Sequence, residues 1–137
     1  MGAAWQIATI RGIPIRLHWS LLLVFSLLTV SLATAYLPGT EPDLGTGAAW
    51  GLAIVSSVLF FVSLLLHELG HSIVAMRAGL PVDSITLFIF GGVARIGDTA
   101  KSAETELRIA AAGPLVSLAL AAMFGLVWLV VRGNDAL

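Results

Sequence analysis

Residues 67–71 read HELGH. On a helix, positions four apart differ by about 40° of rotation and ~6 Å of rise. Both imidazoles then face one side and can grip one Zn²⁺ at about 2.0–2.1 Å. Glu68 stands about 60° round from His71, placed to reach a metal-bound water without ligating the ion. Zinc lowers that water's pKa towards about 7, and a carboxylate can take its proton and return it to a leaving amine. The chemistry of His67, Glu68 and His71 is therefore hydrolysis of a peptide bond. H-E-x-x-H also arises by chance in soluble helices. Here it lies inside LLLHELGHSIVAM, Leu64 to Met76, an otherwise apolar run. An ionisable group inside a bilayer costs roughly 3 kcal/mol on insertion scales and marks function by default. An interhelical hydrogen-bond cluster is the structural alternative.

The rest of the chain must hold that trio. The chain has 137 residues, 58% hydrophobic and 11% charged. Soluble domains are near half apolar and about a quarter charged, so composition points to a membrane protein. A net charge of −1 argues against a nucleic-acid partner. With no cysteine, thiolate sites are excluded, and His and carboxylate remain as ligands.

One membrane-embedded domain is expected over 1–137, with spans at about 17–37, 48–78 and 109–131. Gly79 and Pro81 form a stop after the second span. Arg11, Arg16, Arg77, Arg95, Lys101 and Arg108 flank one side, whereas the first loop carries Glu41 and Asp43. Lys/Arg excess marks the cytoplasmic side, so the N-terminus and second loop are expected inside; Arg132 disagrees. His67 and His71 then lie about 15 and 9 Å below the level of Arg77. The first span, with Ala33-Thr34-Ala35, also fits a signal peptide, although its length favours an uncleaved anchor.

The second loop holds SITLFIF, then Gly91-Gly92, then VARI. β-Branched and aromatic residues around a glycine turn predict a hairpin over about 82–96. Extended backbone at membrane depth must be buried in protein or line a cavity. Trp5 to Arg16 has similar β-like pieces that can pair with it. Gly113, Ser117, Ala121 and Gly125 form a small-residue stripe expected to face the HELGH helix. Self-association is a further partner expectation. Pro114 leaves the Ala110 carbonyl without its helical partner, predicting a kink or a late helix start. His18, Trp5 and Trp19 fit the interfacial belt. Glu104 and Arg108 are spaced as a helix-surface pair.

These pieces together resemble the site-2 protease family of intramembrane zinc metalloproteases. The resemblance is carried by GIPIRLHWS, FVSLLLHELGHSIVAMRAG, ITLFIFGGVARI and ELRIAAAGPLVSLALA, in order through most of the chain. It implies zinc held by His67 and His71, with Glu68 as base, and cleavage of transmembrane protein substrates in regulated proteolysis at the cell membrane. It also implies that Phe90, Gly91, Gly92 and Val93 offer a strand edge to unwound substrate. The expected fold is an all-α membrane protein: three transmembrane helices and a small membrane-associated β-hairpin. The family's third ligand is an aspartate in a later N…P…LDG stretch, which this chain lacks, so the chain reads as truncated before that helix. Two ligands leave a catalytic zinc one short. The rival readings are an inactive metal-binding fragment or pseudoprotease that holds substrate, and a zinc transporter or sensor. A transporter needs polar ligands along several spans, and the first and third have none.

Overall fold

A computed structural model describes residues 4–89, 91–97 and 102–134. Three helices dominate: α1, Ser20–Thr40, α2, Thr46–Arg77, and α3, Ala103–Asn134. Each is long and apolar enough to cross a membrane. The strands are β1, Ala4–Ile10, β2, Ile13–His18, β3, Val82–Phe88, and β4, Gly91–Ile96. They form one four-stranded sheet in the order β1-β2-β3-β4. The all-α expectation is thereby corrected: the hairpin at 82–96 is half of a sheet, and the N-terminal segment supplies the other half.

The sheet follows from alternation. In β2, Ile13, Ile15 and Leu17 share one face, and β3 presents Ile85 and Leu87 likewise. The two strands run parallel, with Ile15 opposite Ile85 and Leu17 opposite Leu87. β1 and β4 flank them as antiparallel partners. Ile13, Ile15, Ile85, Leu87 and Leu21 form the buried core, against which Phe61, Leu64, Leu65, Leu69 and Met76 of α2 pack. The hairpin thus packs on the helices. This pairing also draws Leu17 and His18 into β2, so α1 begins at Ser20 and not at 17.

α2 ends where Gly79 and Pro81 predict. Leu80 N–H donates to the Ala75 carbonyl and Gly79 N–H to that of Met76, both at 3.0 Å. This is the paired-bond helix end that needs a left-handed residue, and Gly79 has φ +80°. α3 starts earlier than 109. Ser102 Oγ accepts from Thr105 N–H at 3.2 Å, and Glu104 and Glu106 occupy the first turn, where the helix dipole favours acids. Glu104 and Arg108 do pair, at the exposed surface. Pro114 therefore lies inside a helix already begun.

α1 and α2 meet through small residues. Ala49, Ala53 and Ser57 are buried along one line of α2, and Thr29 and Ala33 are buried on α1. Thr29 Oγ1 donates to Ser57 Oγ at 2.9 Å. Replacing Ser57 by Ala removes this bond from an apolar interface and should cost about 1 kcal/mol. Thermal unfolding in detergent measures it; an unchanged Tm would show that the bond contributes nothing.

Candidate active site

α2 brings its two histidines together as the four-residue spacing requires. His67 Nε2 and His71 Nε2 are 3.1 Å apart. The other ring nitrogens reach across to α3. His71 Nδ1 donates to the Ile109 carbonyl at 2.6 Å, and His67 Nδ1 is 2.8 Å from Ser117 Oγ. Close approach of the helices allows both contacts. A Cβ on Gly70 would stand 2.9 Å from Val116 Cγ2 and 3.1 Å from the Ala112 carbonyl oxygen. One on Gly113 would stand 2.5 Å from His67 Nε2 and closer still to His71 Nε2. Glycines on both helices let them approach this closely.

Glu68 lies on the adjoining face, against β4. A Cβ on Gly92 would fall 2.7 Å from Glu68 Cδ and 3.0 Å from Oε1. Phe60, Ser63, Leu64, His67, Glu68, Gly91, Gly92 and Ser117 line a cleft of about 320 Å³ between α2, β4 and α3. The carboxylate, one imidazole and the strand edge therefore open onto the same space. β4 is an outer strand of the sheet, so among the described residues one of its backbone edges has no neighbouring strand.

The residues fit part of a zinc site. Two nitrogens on one tetrahedral ion at about 2.0–2.1 Å stand roughly 3.3 Å apart, near the observed spacing. Each imidazole has its far nitrogen engaged by a fixed group, the usual outer support of a metal-bound histidine. Among the described residues, no group of three His, Cys, Asp or Glu could hold a metal ion. Asp83, Glu104 and Glu106 are exposed. His18 Nδ1 pairs with Ser20 Oγ at 2.7 Å, at the junction of β2 and α1. Asp98 and Asp135 lie outside the described residues.

Of the strand residues singled out for substrate, Gly91 and Gly92 line the cleft, whereas Val93 does not. Phe90 lies outside the described residues. Of the small-residue stripe, Gly113 and Ser117 meet the histidines, but a Cβ on Gly125 would touch nothing within 4 Å. The roles of the Ile109 carbonyl and of Gly70 carry no signature in the sequence, because both depend on which helices become neighbours.

Comparison with known proteins shows the family of the chain. The model of Peptidase family M50 matches residues 55–135. A putative zinc metalloprotease, Rip3, of Mycobacterium tuberculosis is 44% identical over 97% of this chain and 34% of its own length. A zinc metalloprotease of Methanocaldococcus jannaschii, MJ0392, is 37% identical over 96% of this chain and 33% of its own. The solved site-2 protease from the same archaeon aligns with a TM-score of 0.62 and 36% identity, covering 96% of this chain and 52% of that one. The chain belongs to Peptidase family M50, the site-2 protease family. It spans about a third of the length of the curated relatives it matches. Its three apolar helices and its family make it a multi-pass membrane protein.

Proposed function

We propose that the chain is the membrane-embedded core of a zinc-dependent endopeptidase that cuts transmembrane protein substrates. The observation that carries this reading is the convergence of two imidazole Nε2 atoms, 3.1 Å apart, with His67 and Glu68 both lining one cleft. His67 and His71 hold the metal. Zinc, when bound, supplies a Lewis acid and an acidified water. Glu68 accepts a proton at its carboxylate and delivers it to the leaving amine. A helical peptide hides its carbonyls, so substrate must unwind. The outer edge of β4, with Gly91 and Gly92 beside Glu68, offers such a segment backbone partners. The basic residues flanking α1 and α2 favour a cytoplasmic N-terminus and sheet, in the cell membrane. A second reading, a metal-binding fragment that holds substrate without cutting it, is favoured by the lack of a three-ligand group among the described residues.

The zinc content of the complete purified protein tests the site. Wild type should carry about one zinc per chain, and the double variant His67→Ala/His71→Ala almost none. Metal retained by the double variant sinks the ligand assignment.

A further inference from the structure

The cleft beside Glu68 does not end at Gly91. A second pocket of about 320 Å³ adjoins it, and Phe60, Leu64 and Gly91 line both. Its remaining wall is Val24 of α1, Phe61 of α2, and Phe88 and Ile89 at the end of β3. Every described side chain that lines it is apolar. The cleft, by contrast, carries Ser63, His67, Glu68 and Ser117. One space holds reactive groups, and its neighbour can only select. A buried polar chain fixes the selecting wall. Ser20, at the start of α1, is 6% exposed. Its Oγ accepts from the Ile89 N–H at 3.1 Å. Ser20 N–H donates to His18 Nδ1 at 3.3 Å, so that nitrogen is an acceptor, and the Ser20 hydroxyl donates to it at 2.7 Å. Ile89 is thus tied to α1 by its backbone. Phe61 is held too, edge-on to Phe60 and tilted against Phe25. A pocket with a pinned wall discriminates by size, whereas a loose one adapts.

We infer that this pocket is a specificity subsite that takes one large apolar side chain, leucine or phenylalanine in size, from the unwound substrate strand, a role that rests on the proposed docking of substrate along β4. Continuity of the two spaces carries it. Gly91 opens β4 and lines both, so a segment laid along the outer edge of β4 passes from one to the other. Gly91 and Gly92 bring no side chain into the passage. Side chains on one face of an extended segment recur roughly every 7 Å. A residue beside Glu68 is therefore followed, two positions on, by one at the pocket. Membrane segments are rich in large apolar side chains. A charged or amide group would lose its hydrogen bonds there.

The test uses the complete protein in detergent and a transmembrane substrate. Each position near the scissile bond is set in turn to Ala, Leu, Phe or Asn. One position should favour Leu and Phe over Ala by roughly 10- to 100-fold in kcat/KM, with Asn below Ala. Val24→Phe narrows the pocket and should lower the Phe-over-Ala preference at that position at least roughly tenfold. Ile89→Ala widens it, keeps the backbone tie to Ser20, and should move the preference towards the larger side chain. Should Val24→Phe fail to fold, Ile89→Ala decides alone. Preferences that stay put in both variants overturn the inference, and that is the result if a later segment of the complete protein covers the pocket. Equal loss on every substrate overturns it too, because the wall then only supports packing. Binding separates the subsite from the chemistry. The Glu68→Gln protein should bind the same substrates with the same order of preference, read by fluorescence anisotropy, and Val24→Phe should flatten that order. If Glu68→Gln cuts undiminished while the preferences hold, the base assignment fails and the subsite stands. If cutting depends on Glu68 and no preference by size appears, the subsite alone falls.

Discussion

Glu68→Gln should leave zinc content at the wild-type level and lower peptide-bond cleavage by roughly 10²–10⁴-fold, the usual contribution of a positioned acid–base group. The amide keeps the shape of the carboxylate beside Gly92 but cannot accept a proton. Since Glu68 stands on the face next to the two imidazoles, the ligands keep their contacts with Ile109 and Ser117. The measurement needs the complete protein, a membrane-anchored substrate and a metal assay on the same preparation. Undiminished cutting by Glu68→Gln removes the proposed base. Zinc lost along with activity would instead place Glu68 among the metal's supports.

Gly113→Ala should abolish tight zinc binding, with an expected loss of at least about 100-fold, beyond what removal of a single supporting contact gives. The added methyl would occupy the space at the imidazole tips. The rings cannot simply swing away, because their Nδ1 atoms are tied to Ile109 and Ser117 on the same helix that carries the new methyl. Either those ties break or α3 retreats, and α3 is held by the close approach at Gly70. Gly92 offers a contrast. A methyl there meets Glu68 alone, from Cγ outward to the carboxylate, so it displaces the proposed base and leaves the imidazoles untouched. Wild-type zinc affinity in Gly113→Ala would show that the helices separate more easily than the packing implies.

Local chemistry was the most legible part of the sequence. HELGH needs only a helix to bring its imidazoles together, and Gly79 with Pro81 ends that helix whatever surrounds it. The hairpin at 82–96 was legible from its β-branched run and glycines. Its place in a larger sheet was only half visible, because Leu17 and His18 read equally well as the start of an apolar span. Partnership with Leu87 decides otherwise. The early start of α3 was written in Ser102, Glu104 and Glu106, but those polar residues also fit a solvated loop. The small-residue stripe predicted a close helix pair, yet only Gly113 and Ser117 realise it. A second small-residue seam, Ala49, Ala53 and Ser57, lies on α2 and faces α1. Which stripe is used depends on helix neighbours, and that information is tertiary.

The parallel pairing of β2 with β3 also sets a schedule for making the protein. Ile15 and Ile85 face each other across the sheet, but α1 and most of the first 80 residues separate them along the chain. At synthesis rates of about 5–20 residues per second, the N-terminal hairpin waits roughly 4 to 14 seconds for its partner. During that wait the inner edge of β2 and its isoleucines are uncovered. Two apolar helices must also thread in opposite directions before both hairpins reach the same side. A nascent chain halted between residues 40 and 80 would therefore present an open β edge, and is the form most in need of a chaperone.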